Sequence, residues 1–310
     1  MSLRWSEKNR SVSPPWVRHT ASAFQLTSLS TPIEPPSSAG RPSLRAGPAT
    51  LECGYRRRVQ HSADLVALPA DGRLVRTSRA VRLGDVAPDR RMRVDALLRV
   101  LQDVGDDDYR STGLPNPDGW VARRIVLEVG RFPTFREALE VTTFCSGTGS
   151  RWAERRTSIV GDDGARVEAA ALWVQVDTAG RPVRLDDAFL AVYGATAAGR
   201  TVGSRRTHDD PSPDAAGVPF TPRFVDLDPL GHMNNAAQAA ALEEVLAPDG
   251  LAAPVRVELE YRRPAAPSSD LRVVIDRPAE GAVDVWLCTG ADVATSVRVR
   301  RGVPVVQSSV

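Results

Sequence analysis

Lysine is almost absent from this 310-residue chain: Lys8 stands alone, and arginine supplies the rest of the 40 basic residues. Such a skew reflects GC-rich coding rather than phosphate recognition. Acidic residues number 38, leaving a net charge of +2. The first 65 residues hold nine basic and four acidic groups, so the remainder, with 31 against 34, is slightly acidic. A basic face of the kind nucleic acid demands is therefore missing, and no nucleic-acid partner is expected. Cysteine is scarce too. Cys53, Cys145 and Cys288 lie far apart and make no CxxC or Cys/His spacing. That excludes a disulfide framework and a structural zinc, and it fits a reduced, cytoplasmic protein with no metal and no cofactor. No window of ~18 apolar residues exists, so no membrane-spanning helix is expected.

The stretch 1–68 is set apart by composition. It is rich in Ser, Pro and Arg, poor in acids and without periodicity, as in "SVSPPWVRHTASAFQLTSLSTPIEPPSSAGRPSLRAGP". Such a segment buries too little apolar surface to offset its ordering entropy, so a disordered extension is expected. Organelle transit peptides share that composition, as does upstream sequence read from a misplaced start codon.

What is present after residue 68 is a pattern that occurs twice. "GRLVRTSRAVRL" alternates like a half-buried strand. "RVDALLRVLQDVG" places Val94, Leu97, Leu98, Leu101 and Val104 at helical spacing, with Gly105 positioned to stop the helix. Four strand-like runs follow, "ARRIVLEVGRF", "ALEVTTFCSG", "RWAERRTSIVG" and "ARVEAAALWVQVD", separated by turn residues. The second half repeats the order: "VPFTPRFVD" as a strand, "NNAAQAAALEEVL" as a helix, then "VRVELEYRR", "DLRVVIDRP", "AVDVWLCTG" and "VATSVRVRR" as strands. This predicts units at 69–197 and 218–310 joined by a Pro/Asp/Gly-rich linker at 198–217. Each is an α+β unit in which one helix lies against an antiparallel sheet.

At the helix entrances the halves align without a gap. "GDVAPDRRM" (Gly84–Met92) lies over "VDLDPLGHM" (Val225–Met233). Asp85, Pro88 and Met92 find their like in Asp226, Pro229 and Met233, whereas Ala87 falls on Asp228 and Arg91 on His232. Groups needed merely to cap a helix would have equivalents in both halves. An acid and an imidazole in one half point to chemistry there.

A strand, a long helix and a wrapping sheet, given twice, resembles the double-hotdog acyl-acyl-carrier-protein (acyl-ACP) thioesterases of plants and bacteria. "DLDPLGHMNN" is similar to their D-x-D-x-N-x-H-V-N-N run, "LEYRRPA" to L-E-Y-R-R-E-C, and "WVARRIVLEVGRFPTFREALEVTTF" to a first-half motif. The likeness runs from about Arg73 to Arg301 and implies a tandem hotdog that hydrolyses a thioester. Three departures stand out: Leu230 replaces the plant enzymes' functional Asn, and Pro264 and Ala265 replace the Glu-Cys pair. "DPLGHMNN" as it stands looks closer to the hotdog acyl-CoA thioesterases of the 4-hydroxybenzoyl-CoA type, whose Asp is the key catalytic group.

Thioester hydrolysis needs an activated water or a carboxylate nucleophile, with donors for the developing oxyanion. Asp228 is the expected base or nucleophile. His232 is expected to polarise the carbonyl or orient the water, and the Asn235 side chain to hold the loop or the water. The backbone N–H groups of Met233, Asn234 and Asn235, at the positive end of the helix, are the expected oxyanion donors, with Gly231 allowing close approach. Glu258 and Glu260 share a strand face; one of them is a candidate to supply the carboxylate lost at Pro264, with ion pairing to Arg256 or Arg262 the simpler role. Taken singly, the acids also read as helix caps, His232 as a satisfied buried histidine and the asparagines as helix-start residues. The expected partner is acyl-ACP or acyl-CoA, in a monomer or homodimer. A hotdog dehydratase or enoyl hydratase and a non-catalytic acyl-thioester binder are the competing readings.

Overall fold

The computed structural model describes residues 65–115, 119–246, 251–267 and 270–302. The expected extension therefore lies outside the described residues up to residue 64. Residues 65–68, placed with it by composition, belong to the folded unit, since the Val66 carbonyl accepts the Nε–H of buried Arg156 at 3.2 Å.

Among the described residues, ten strands form one antiparallel sheet. In chain order they are β1 (Val75–Ala80), β2 (Gly119–Arg131), β3 (Ala138–Thr148), β4 (Trp152–Gly161), β5 (Arg166–Val176), β6 (Gly217–Phe220), β7 (Val255–Tyr261), β8 (Leu271–Ala279), β9 (Ala282–Thr289) and β10 (Asp292–Arg301). Their order across the sheet is β1-β3-β4-β5-β2-β7-β10-β9-β8-β6. Read outward from the central β2–β7 pair, the two halves have the same order. That central pairing is self-complementary. Ile125 opposes Leu259 while Leu127 opposes Val257, and Arg124 opposes Glu260 while Glu128 opposes Arg256. The internal repeat thus behaves as a two-fold interface inside one chain.

Strand alternation divides the sheet into two faces. Val255, Val257, Leu259 and Tyr261 join the core that covers the helices, together with Ile125, Leu127 and Val129 from β2. Two helices lie on this face: α1 (Val94–Arg110) and α3 (Asn235–Leu246). The predicted apolar positions Val94, Leu97, Leu98, Leu101 and Val104 are all buried, each contributing about 1.5–3 kcal/mol. In α3 the small side chains of Ala236, Ala239 and Ala241 are buried beside Leu242 and Leu246. None of the helices among the described residues is long and apolar enough to cross a membrane.

Two expectations are corrected here. Gly105 does not stop α1, which continues to Arg110 because Asp108, 1% exposed, is held by Arg73 at 2.6 Å and Arg155 at 2.7 Å. The first half also has a second helix, α2 (Asp187–Ala197), capped by Asp186, whose carboxylate accepts the Phe189 N–H at 2.7 Å. Within the predicted linker, residues 203–210 cross the sheet face away from α1 and α3. Buried Arg124 donates to the carbonyls of Gly203 and Arg205, Thr207 N–H donates to Glu260, and Trp286 Nε1–H to the Asp209 carbonyl.

Side chains cross between the halves. Glu243 of α3 accepts the N–H of Val94, the first residue of α1, at 2.8 Å, and its other oxygen meets Arg91 at 2.8 Å. Gln102 of α1, the repeat equivalent of Glu243, sends its Nε2–H to Asn234 Oδ1 at 3.5 Å. Removing Glu243 strands a mostly buried guanidinium and an uncapped helix end. Glu243→Leu is expected to lower stability by about 3 kcal/mol, read as the shift in urea midpoint at constant m-value.

Candidate active site

The two helix entrances share one backbone. Before α1, a 3-10 turn at Leu83–Asp85 is closed by the Asp85 carboxylate, which accepts Arg82 N–H at 2.9 Å. Before α3, Phe224–Asp226 is closed by Asp226, which accepts Arg223 N–H at 2.7 Å. A narrow loop then follows in each, with Val86 bridging Met92 and Leu227 bridging Met233. Ala87 N–H donates to the Arg91 carbonyl at 2.8 Å, as Asp228 N–H does to that of His232 at 2.9 Å. Arg90 and Gly231, aligned in sequence, both take the left-handed conformation, at φ 71° and 76°. The repeat seen in sequence is therefore a repeat of hydrogen bonds.

That equivalence sorts the acids. Asp226 has its counterpart in Asp85 and serves the turn. It is 3% exposed and also accepts Arg223 Nε–H at 3.1 Å and Nη2–H at 2.8 Å. Burial on its own raises the Asp226 pKa, but the hydrogen bonds and charge of Arg223 outweigh it and hold the carboxyl below its ordinary value.

Asp228 and His232 belong to the second entrance alone. Asp228 is half-buried, and its Oδ1 accepts Leu230 N–H at 2.9 Å, which fixes the side chain within its own turn. Its second oxygen forms no hydrogen bond among the described residues. The His232 imidazole is half-buried and has neither a hydrogen bond nor an ion pair among them. No bond joins the Asp228 and His232 side chains; their shared turn, closed by the Asp228 N–H on the His232 carbonyl, brings them together. Gly231 is exposed, and a Cβ there meets nothing within 4 Å. The turn asks Gly231 for its left-handed backbone, and the space above it is open.

The expected oxyanion donors are corrected in part. Met233, 2% exposed, gives its N–H to the Ala265 carbonyl at 2.9 Å, and Asn234 gives its N–H to Asp226 at 2.8 Å. The segment after β7 and the 3-10 turn take these two hydrogens, so neither group is open to a ligand. The Asn234 side chain caps α3 by accepting Ala236 N–H at 2.8 Å. Asn235, half-buried at the first position of α3, keeps an N–H and a side chain with no hydrogen bond among the described residues. On either side of that amide, the Met233 carbonyl accepts Gln238 Nε2–H at 2.8 Å and the Asn235 carbonyl accepts the Tyr261 hydroxyl at 3.1 Å. Around the entrance stand Phe224, Val225 and Leu230, exposed to 90%, 77% and 60%. This apolar rim suits an amphipathic ligand or partner.

The other acids do not join this site. Glu258 pairs with Arg256 at 2.6 Å, and Glu260 accepts the amides of Thr207 and His208, all on the opposite sheet face. Burial on its own raises the Glu258 pKa, but the nearby His208 ring and the hydrogen bond and charge of Arg256 bring it down to about 2. A Ser–His–Glu array is also present, with Ser296 Oγ 2.9 Å from His208 Nδ1 and His208 Nε2 3.6 Å from Glu258. Ser296 is 1% exposed beneath the crossing linker, so the array fastens the linker and meets no substrate.

Comparison with known proteins gives the same architecture. The profile of the acyl-ACP thioesterase N-terminal domain matches residues 72–193, and that of the acyl-ACP thioesterase C-terminal domain matches residues 212–297. An uncharacterised protein of Mycobacterium tuberculosis is 27% identical over 241 residues, which is 76% of this chain and 96% of that protein. A chloroplastic acyl-acyl-carrier-protein hydrolase of Cuphea viscosissima is 27% identical over 257 residues, 72% of this chain and 61% of the plant protein. The 12:0-ACP thioesterase from Umbellularia californica superposes with a TM-score of 0.61 at 22% identity, covering 73% of this chain and 96% of that structure. The fold is the α+β tandem hotdog expected from the sequence.

The Asp226 pairing sets a pH dependence. Its folded pKa is depressed, so its contribution is present above the unfolded value of about 4 and is lost as pH falls through the folded value. The melting-temperature gap between the wild type and Asp226→Asn is expected to narrow as pH is taken from 7 towards 3, followed by circular dichroism.

Proposed function

This chain belongs to the acyl-ACP thioesterase family, whose members are thioester hydrolases, and from that premise we propose that it cleaves fatty acyl-ACP at the entrance to α3. Asp228 acts on the attacking water, His232 orients that water or polarises the carbonyl, and Asn235 receives the oxyanion. The observation that carries the reading is the difference between two entrances with one backbone, where Ala87 and Arg91 stand in the first and Asp228 and His232 in the second. The likeness of "DPLGHMNN" to the 4-hydroxybenzoyl-CoA-type thioesterases supports the aspartate as the key group.

In the reaction, Asp228 takes a proton from water as the water oxygen bonds to the thioester carbon. The carbonyl electron pair moves to oxygen, where the Asn235 N–H and the positive end of α3 stabilise it. When the intermediate collapses, the C–S bond breaks with its electron pair on sulfur. The proton held by Asp228 passes to the thiolate, giving the fatty acid and the carrier thiol. Attack by Asp228 itself, through an anhydride that water then opens, uses the same groups and gives the same products. An acyl-CoA presents the same reacting atoms, so the carrier is a matter of what binds at the rim.

The test is thiol release from acyl-ACP and acyl-CoA of graded chain length. Asp228→Asn keeps size and hydrogen-bonding ability but not the basic oxygen, and is expected to lower kcat by at least ~10² at an unchanged melting temperature. His232→Ala is expected to cost less. Ala87→Asp in the first half is expected to add no activity, since Arg91 remains where the imidazole is needed. Wild-type turnover by Asp228→Asn would place the chemistry elsewhere, and loss of enoyl absorbance without thiol release would favour a hydratase.

A further inference from the structure

Extending the repeat alignment past the entrances exposes a second difference between the halves, this one inside the core. Met92 and Met233 are equivalent, so Leu97 falls on Gln238. Their amides bond to the carbonyls of Pro133 and Ala265, which aligns "LEV" (Leu127–Val129) with "LEY" (Leu259–Tyr261) and Val129 with Tyr261. In the sheet Val129 opposes Val167, and Tyr261 opposes Thr295. Three positions of the same core therefore read Leu97, Val129 and Val167 in the first half and Gln238, Tyr261 and Thr295 in the second. The first three are 0% exposed. The second three are 3%, 5% and 0% exposed.

Burying an amide and two hydroxyls where aliphatic side chains suffice costs free energy unless each finds a partner. Here they do. The Thr295 hydroxyl donates to Gln238 Oε1, Gln238 Nε2–H donates to the Met233 carbonyl at 2.8 Å, and the Tyr261 hydroxyl donates to the Asn235 carbonyl at 3.1 Å. The two backbone carbonyls so held lie on either side of the peptide that carries the Asn235 N–H. The Asn234 carbonyl of that peptide accepts Gln238 N–H at 2.9 Å. Three successive carbonyls are thus fixed, and the amide between them has no freedom to turn away.

We propose that Gln238, Tyr261 and Thr295 are positioning residues for catalysis, a buried polar support that keeps the Asn235 N–H aimed at the oxyanion. The proposal rests on the reading of Asn235 given above and adds residues that touch no substrate. Buried in the core, they act through the backbone. The first half, with no Asp228 or His232 to serve, fills the same space with aliphatic side chains. An oxyanion donor fixed before reaction needs no reorganisation as charge develops, and it acts on the transition state more than on the bound substrate.

The experiment writes the first half's residues into the second. Gln238→Leu with Thr295→Val removes both partners of a buried hydrogen bond at nearly constant volume, so the melting temperature is expected to move by only a few degrees. Tyr261→Phe removes one hydroxyl and keeps the ring, and it decides the matter if the double variant does not fold. Both are expected to lower kcat by roughly 10- to 100-fold while KM stays within about two-fold, since a misdirected donor weakens an interaction made in the transition state. Adding Tyr261→Phe to the double variant is expected to cost less than the product of the separate effects, because all three act on one peptide. Wild-type kcat in a folded Tyr261→Phe overturns the proposal, as does a loss of rate that only follows the unfolded fraction. Either failure leaves wild-type thiol release and its dependence on Asp228 standing, so the proposal and the functional reading fail separately.

Discussion

The antiparallel pairing of β2 with β7 is the interaction on which the rest of this structure depends. It joins two half-sheets into one of ten strands and fixes the relation between the halves. Because it is self-complementary, Glu128 facing Arg256 in one direction returns as Arg124 facing Glu260 in the other. A relation of that kind also fixes the helices. α1 and α3 run in opposite directions, and each sets a mid-helix side chain against the start of the other: Glu243 at Val94 and Arg91, Gln102 at Asn234. Each entrance is therefore completed by the other half of the molecule.

Within that frame the two entrances have separated in chemistry while keeping their backbone. The first has become structural. Its Arg91 lies between Glu243 and the ring of Phe132, 4.7 Å from the ring centre, and Ala87 stands where the second entrance has Asp228. The second keeps the 3-10 turn, bridge and cap, and places on them a carboxylate that gives the turn only one of its oxygens and an imidazole with no hydrogen bond among the described residues. A neutral Gln102 faces it where an acid faces the first, so no carboxylate from α1 competes with Asp228 at that position. On the proposed function, stability and chemistry fall to different copies of one device.

Much of this was legible in the sequence because the entrance makes narrow demands. The turn needs the carboxylate of Asp85 or Asp226, the loop a residue at positive φ, and the core a methionine, so the gapless alignment survived and exposed the unmatched Asp228 and His232. Which amides remain free was not legible. Met233 and Asn234 look as available as Asn235 until Ala265, in the segment that follows β7, and a turn residue, Asp226, are seen to take their hydrogens. Gln238 was hidden in an alanine run, although five more residues of alignment would have set it against Leu97. Gly105 misled because its local preference was overridden by the ion pairs of Asp108, and α2 escaped because "DAFLAVYGATA" is apolar on all sides.

The central claim is that one of the two equivalent entrances binds and activates the thioester, and that Asn235 supplies the donor. It is tested most directly by a crystal structure of Asp228→Asn with an unhydrolysed acyl thioester bound. The account predicts the acyl carbonyl oxygen within hydrogen-bond distance of the Asn235 N–H, with the thioester carbon beside residue 228. A carbonyl bound at the α1 entrance, or one at the α3 entrance held by other donors and turned away from Asn235, would contradict it.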